Sequence, residues 1–229
     1  MTASALRSVA RHAPVYLVTG LIVAALEALI VLRWRANPDT SILVASLIVE
    51  PFFVAIVNAF TYADIREDFS RSATWSRILE RSWAVLLIDL LTTLIGVVGL
   101  QSLLTADVFE KLLGCAVIIV TVSFVFADVA ATVVDDAEPW WLLVPRSLGA
   151  SMAAAWQGVT FARAIIIFAL SALLPLPIAD LVQRAFDAYR TPHAALWTHA
   201  IVIVLLLPVV QALCTFVYLD AIGYEPERS

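Results

Sequence analysis

The sequence predicts an all-α fold: a polytopic membrane bundle of about six transmembrane helices, built as three parallel hairpin repeats with interfacial amphipathic segments. Three observations predict it. The 229 residues are 62% hydrophobic and only 14% charged, with a mean hydropathy of +0.94. Soluble domains carry about 45–50% apolar and about 25% charged residues, and a soluble core of this length could not hide so much apolar surface. Six stretches reach the roughly 20 mostly apolar residues that a spanning helix needs. Three of those stretches end on the same Phe-x-aromatic-x-Asp signature.

The first stretch covers about 14–33 and follows a short basic N-terminus, Met1 to His12. A signal peptide has an apolar core of only about 7–15 residues, so the run from Pro14 to Leu32 reads as an uncleaved first helix. Leu6, Val9, Ala10 and Ala13 against Arg7 and Arg11 give its approach a weak amphipathic character. Asn37-Pro38-Asp39 then turns the chain into the second stretch, 42–62, and so short a link makes the two helices an antiparallel hairpin. Residues 64–82 lead into the third stretch. Trp75, Ile78, Leu79 and Trp83 fall on one helical face, and Arg77, Glu80 and Arg81 fall on the other, the pattern of a segment lying at headgroup depth with its charges toward water. The third and fourth stretches, 83–104 and 112–134, form a second hairpin. Residues 135–149, with Trp140, Trp141 and Arg146, repeat the interfacial pattern. The fifth and sixth stretches, 160–182 and 197–219, are joined by a longer link, Gln183 to Leu196, holding Arg184, Asp187, Tyr189, Arg190 and Pro192. Pro175, Pro177 and Pro208 (the last near Gln211) predict kinks.

The three signatures are Phe60-Thr61-Tyr62-Ala63-Asp64, Phe124-Val125-Phe126-Ala127-Asp128 and Phe216-Val217-Tyr218-Leu219-Asp220. A weaker echo is an Arg-Ser pair ahead of each odd-numbered helix: Arg7-Ser8, Arg81-Ser82 and Arg146-Ser147. Together they divide a single membrane domain, 1–229, into units of about 1–65, 66–135 and 136–224. Aromatic rings favour the membrane interface. An Asp at a helix C-terminus opposes the macrodipole and calls for a partner. Asp64, Asp128 and Asp220 therefore read as repeat-end anchors, with Arg81 and Arg146 of the neighbouring lead-ins expected to pair with Asp64 and Asp128. The functional alternative is a ring of three carboxylates around a central path.

On Arg81-Ser82-Trp83, Arg146-Ser147-Leu148 and the Tyr218-x-Asp220 ending, the chain resembles the bacterial six-helix membrane domain named after glycerophosphoryl diester phosphodiesterases, and related integral membrane families. The resemblance implies a fold and a membrane role. It carries over no activity, because no soluble phosphodiesterase domain accompanies these helices.

Thirteen Arg against a single Lys, with abundant Ala and Val, point to a GC-rich, bacterial genome. Orientation follows the Lys/Arg bias of short loops. Nine arginines (Arg7, Arg11, Arg66, Arg71, Arg77, Arg81, Arg146, Arg163 and Arg228) fall on one face, and Arg33, Arg35, Lys111, Arg184 and Arg190 fall on the other. Both termini are thus expected in the cytoplasm, with the protein in the bacterial inner membrane.

Ionisable groups inside a membrane are functional-site candidates. Glu27 lies about 9 Å and Glu50 about 12 Å from the outer ends of their helices at 1.5 Å per residue. An antiparallel hairpin brings the two to nearly the same depth. Two carboxylates close together in low dielectric would not both ionise and could share a proton. Pro51 frees a backbone carbonyl beside them. Glu27, Glu50 and Asp89 are therefore the candidate proton or cation site, with Asp89 alternatively paired to Arg163. His12, His193 and His199 are scattered and fit no zinc spacing; no nucleophile elbow, phosphate loop or dinucleotide fingerprint occurs. Cys115 and Cys214 read as small apolar-phase residues rather than a disulfide. No cofactor, metal or nucleic acid is expected; the expected partners are membrane lipids and other membrane proteins. The sequence favours a non-catalytic accessory, scaffold or assembly component. The alternative is a small transporter or permease with a proton- or cation-linked carboxylate site. An intramembrane enzyme is the least supported reading.

Overall fold

The computed structural model describes residues 2–33, 38–66, 70–105, 107–133, 139–189 and 194–224. Among them the protein is helical, with no strand. The turn at Asn37, residues 134–138 of the second interfacial segment, and Arg190 to His193 of the long link lie outside the described residues, as do Arg35 and Arg228 of the charge pattern.

The first helix, α1, runs from Thr2 to Arg33, and α2 from Pro38 to Arg66. Helix α3 covers Arg71–Leu103, and α4 covers Val108–Ser123. Two short elements follow, α5 (Ala127–Val133) and α6 (Trp140–Ala155). Then come α7 (Thr160–Leu173), α8 (Pro175–Tyr189) and α9 (Ala194–Ile201). A π-helical turn over Val202–Leu206 passes into α10 (Leu207–Ala221). Six apolar spans are long enough to cross a membrane: Ala3–Arg33, Val44–Arg66, Ser72–Leu103, Val108–Val133, Thr160–Ala185 and Ala195–Ala221.

The distribution of side chains is that of an integral membrane protein. Asn58, Thr61, Thr132, Ser147, Ser151 and Thr215 are buried, while Leu17, Val18, Leu21, Leu29 and Leu32 of α1 stand exposed. In water this arrangement would be costly; in lipid the apolar faces meet their own solvent and the polar groups turn inward. Thr215 Oγ1, for example, donates to Asn58 Oδ1 at 3.2 Å. The second span is the most enclosed and the fifth the least, 61% against 12% buried, so α2 is the axis around which the others pack. Helix α1 packs on α2 and α3 on α4, while α10 lies against α1, α2 and α7.

Two features of the lead-ins differ from expectation. The approaches to the first and third spans are not separate surface segments; they continue without a break into α1 and α3. Only the third approach, α6, is its own helix, turned at Gly158, whose φ of +48 lies in the left-handed region. In addition, Arg77 and Arg81 do not point to water. Arg81 is buried. Arg77 donates to the carbonyls of Thr132 and Val133 at 3.2 and 3.3 Å, satisfying the last carbonyls of α5, and its guanidinium lies over the Tyr62 ring.

The second signature also behaves unlike the others. Asp64 and Asp220 lie within the last turn of α2 and α10. At Phe124-Val125-Phe126 the helix instead breaks, and α5 carries the span five residues past Asp128. Ser151 of α6 bridges the break: its Oγ accepts from Phe126 N–H at 3.1 Å and donates to Ser123 O at 2.9 Å. Trp156 Nε1 donates to Ser123 Oγ at 2.9 Å. Cys115 is exposed and Cys214 buried, and both are free.

Candidate functional site

The buried face of α1 follows a three-and-four spacing: Ala5, Ser8, His12, Tyr16, Gly20, Val23 and Glu27. This is the inward stripe of an amphipathic helix turned inside out, with small and polar residues facing protein and leucines facing lipid. Glu27 ends the stripe six residues before Arg33, about 9 Å of helix, and is 2% exposed. Gly20 lets the neighbouring span approach closely: a Cβ there would stand 3.4 Å from Val204 Cα. Val204 belongs to the π-helical turn that follows His199, and the contact brings α9 against the C-terminal third of α1.

Three side chains from three spans therefore converge. His199 Nε2 lies 3.1 Å from Glu27 Oε2 and 3.1 Å from Glu50 Oε1, and one donor atom from each of the three falls within 4.8 Å of the others. Glu27 forms the closed base. The side chains of Glu50 and His199 are 21% and 23% exposed and form the open side. Pro51 follows Glu50 inside α2, and its missing N–H leaves the Leu47 carbonyl without its helical donor at this level. The contacts to His199 are of hydrogen-bonding length, yet neither His199 Nε2 nor either Glu27 oxygen makes an aligned hydrogen bond. An imidazole nitrogen carries at most one proton, so Nε2 can serve one carboxylate at a time. The arrangement can hold a proton between acids and base, or a cation among three donors.

Asp89 of α3 lies near enough to Glu50 to feel its charge, and near enough to act on Asp128 in turn. It is adjacent to the triad rather than a member of it. The pairing of Asp89 with Arg163 does not occur, because Arg163 Nη1 binds Asp220 Oδ2 at 2.6 Å.

The anchors are held differently from the expected scheme. Asp64 does not pair with Arg81. Ser8 Oγ donates to it at 2.7 Å, Arg11 Nη1 lies at 2.9 Å, and His12 Nε2 at 3.0 Å. All three partners come from α1, because α1 is continuous and passes beside the end of α2. Asp128 does not pair with Arg146, and its Oδ1 is buried without a hydrogen-bond partner. Asp220 is half exposed. The three carboxylates line no common path: Asp64 faces α1, Asp220 faces α7, and Asp128 sits behind the break in the fourth span.

Sequence reasoning found both carboxylates of the triad and missed the histidine. Depth did not mark it, because the stretch read from 197 puts His199 in its first turn; in the structure α9 begins at Ala194, five residues before His199. His12, read as part of the basic N-terminus, lies one turn before Tyr16 on the buried stripe of α1.

No family model matches the chain, and no curated protein or solved structure matches it. The resemblance noted on Arg81-Ser82-Trp83, Arg146-Ser147-Leu148 and Tyr218-x-Asp220 thus rests on those short motifs alone.

Proposed function

We propose that this integral membrane protein is a small transporter whose working site is the proton- or cation-binding triad Glu27, Glu50 and His199. One observation carries the reading: an imidazole nitrogen 3.1 Å from each of two carboxylates, inside three apolar spans. Ionisable groups are costly at that depth and persist where they move or hold charge. The π-helical turn beside His199 and the prolines at 51 and 208 add to the case, since such irregularities favour functional segments of membrane helices. The sequence favoured an accessory or scaffolding role on its absent motifs, small loops and repeated anchors; the triad is what favours transport here.

The rest of the proposal concerns setting. The protein belongs in a bacterial inner membrane with both termini in the cytoplasm, and it consists of three parallel helix-pair units. The ties that close each unit support the repeat: Arg11 to Asp64, Arg77 to the Thr132 carbonyl and Arg163 to Asp220 span 53, 55 and 57 residues. Lipid is the expected partner. A cavity of about 510 Å³ lined by Arg11, His12, Phe60, Asp64 and Trp75 has the mixed basic and aromatic lining that suits a headgroup.

Purified protein reconstituted into vesicles with an internal pH-sensitive dye tests the transport reading in metal-free buffer. An imposed ion or pH gradient should produce flux that the Glu27→Gln/Glu50→Gln double variant reduces to the level of empty vesicles. Wild-type vesicles that match empty ones would end the transport reading and return the accessory role to first place.

A further inference from the structure

We infer that the Glu27–Glu50–His199 triad binds a divalent transition-metal ion of the zinc class. The inference rests on the site proposed above and names its ligand. It begins with spacing. Two ligand atoms about 2.0–2.1 Å from a tetrahedral zinc lie about 3.3 Å apart. The two His199–carboxylate separations are both 3.1 Å, and the third pair of donors is within 4.8 Å.

Hydrogen bonding accounts poorly for the same contacts. Charge-assisted hydrogen bonds between cationic nitrogen and carboxylate run about 2.7–2.9 Å and are directional. Here the separations are of hydrogen-bonding length but the alignment is poor, and Glu27 Oε1 is buried without a hydrogen-bond partner. A buried, unpartnered carboxylate oxygen at the closed end of a three-donor cluster is what an ion would satisfy, because metal bonds require no shared hydrogen and accept all three donors together.

Charge and donor type narrow the class. Two carboxylates in low dielectric are neutralised by one dication, which offsets the cost of holding them there. An imidazole donor selects zinc, iron, nickel or copper over magnesium and calcium, which prefer oxygen alone. Three protein donors leave a fourth position free, and the open side lies at Glu50 and His199. Structural zinc sites are closed by four protein ligands, whereas a three-ligand site exchanges its remaining ligand. Of the other charged groups on the packed elements, Arg33 is exposed at the end of α1, and Asp180 and Arg184 pair with each other on α8. Asp64 on α2 is held by Arg11, and Asp89 on α3 lies near enough to Glu50 to feel its charge.

The experiment measures Zn²⁺ binding to the detergent-purified full chain by equilibrium dialysis, with Mg²⁺ as the competing ion. Saturable binding of about one Zn²⁺ per chain, undiminished by excess Mg²⁺, is expected. Glu27→Gln and His199→Gln should each weaken it by about tenfold or more, since even outer-shell changes cost that much. His199→Cys separates ligation from folding: it should retain binding and, with Co²⁺ as the probe, gain thiolate-to-metal charge-transfer absorption that wild type lacks. No saturable Zn²⁺ binding by wild type would overturn the inference. So would Glu27→Gln and His199→Gln binding as tightly as wild type. The two readings fail separately. Proton flux without Zn²⁺ binding removes the metal and leaves the transporter; Zn²⁺ binding without flux does the reverse.

Discussion

Asp64 shows what a single buried carboxylate demands in this setting. Its side chain is 8% exposed and is surrounded by Ser8, Arg11 and His12. Replacing it by Asn would keep the shape but turn one of the two acceptor oxygens into an NH2 group, leaving a donor on α1 facing a donor. A buried hydrogen-bonding group left unsatisfied costs about 1–3 kcal/mol. Asp64→Asn should therefore lower the thermal unfolding midpoint in detergent, while Asp220→Asn, at a half-exposed pair, should change stability by less than about 1 kcal/mol. Equal effects of the two substitutions would show that burial is not what makes Asp64 matter. Ser151 gives a second case. Ser151→Ala removes both bonds that bridge Ser123 and Phe126, and should cost about 1–3 kcal/mol, read by the same melt. At this scale the sequence marked Glu27, Glu50 and Asp64 as important, because acids in apolar surroundings stand out. It could not name their partners, because Ser8, His12 and His199 come from helices whose rotation the local sequence does not record.

At the scale of elements, the pairing of α3 with α4 depends on close approach at small residues. A Cβ on Gly114 would fall 2.9 Å from both Gly99 O and Leu103 N, and backbone cannot give way as a side chain can. Gly114→Ala should push the two helices apart and lower stability despite the better helix propensity of Ala. Gly149→Ala on α6, where nothing lies within 4 Å, should be neutral or stabilising by up to about 1 kcal/mol. A melting series on the two variants decides it; a stable Gly114→Ala would contradict the packing described. Some element boundaries were also readable. Asp107 caps α4 by accepting from Glu110 N–H at 3.0 Å, as Asp before an apolar run predicts. The separation of α7 from α8 at Leu174 comes just ahead of Pro175. The break at Phe124–Phe126 was not readable, because it holds no glycine or proline. It exists because Ser151, 28 residues from Ser123, supplies the hydrogen bonds that the helix gives up.

For the whole molecule, the arginine pattern predicts that reporters fused to either terminus are active on the cytoplasmic side. A C-terminal fusion active only outside would reverse the orientation and place the triad near the inner surface instead. In the structure Arg11 and Arg163 hold Asp64 and Asp220 at the ends of α2 and α10. The charges that set orientation therefore also fasten helix ends, and neutralising Arg11 and Arg163 together should reduce both stability and the fraction of correctly oriented chains.

The sequence by itself determined that the chain holds six apolar spans and where along them its acids lie, since each follows from the length and composition of apolar runs counted along one dimension. It did not determine which side chains meet. That depended on the rotation and close approach of spans far apart in the chain, above all Gly20 against the π-helical turn at Val204. The tertiary structure decided that two acids read from one hairpin share a histidine from the last span, because a helix fixes depth through its rise but fixes its facing only through the neighbours packed against it.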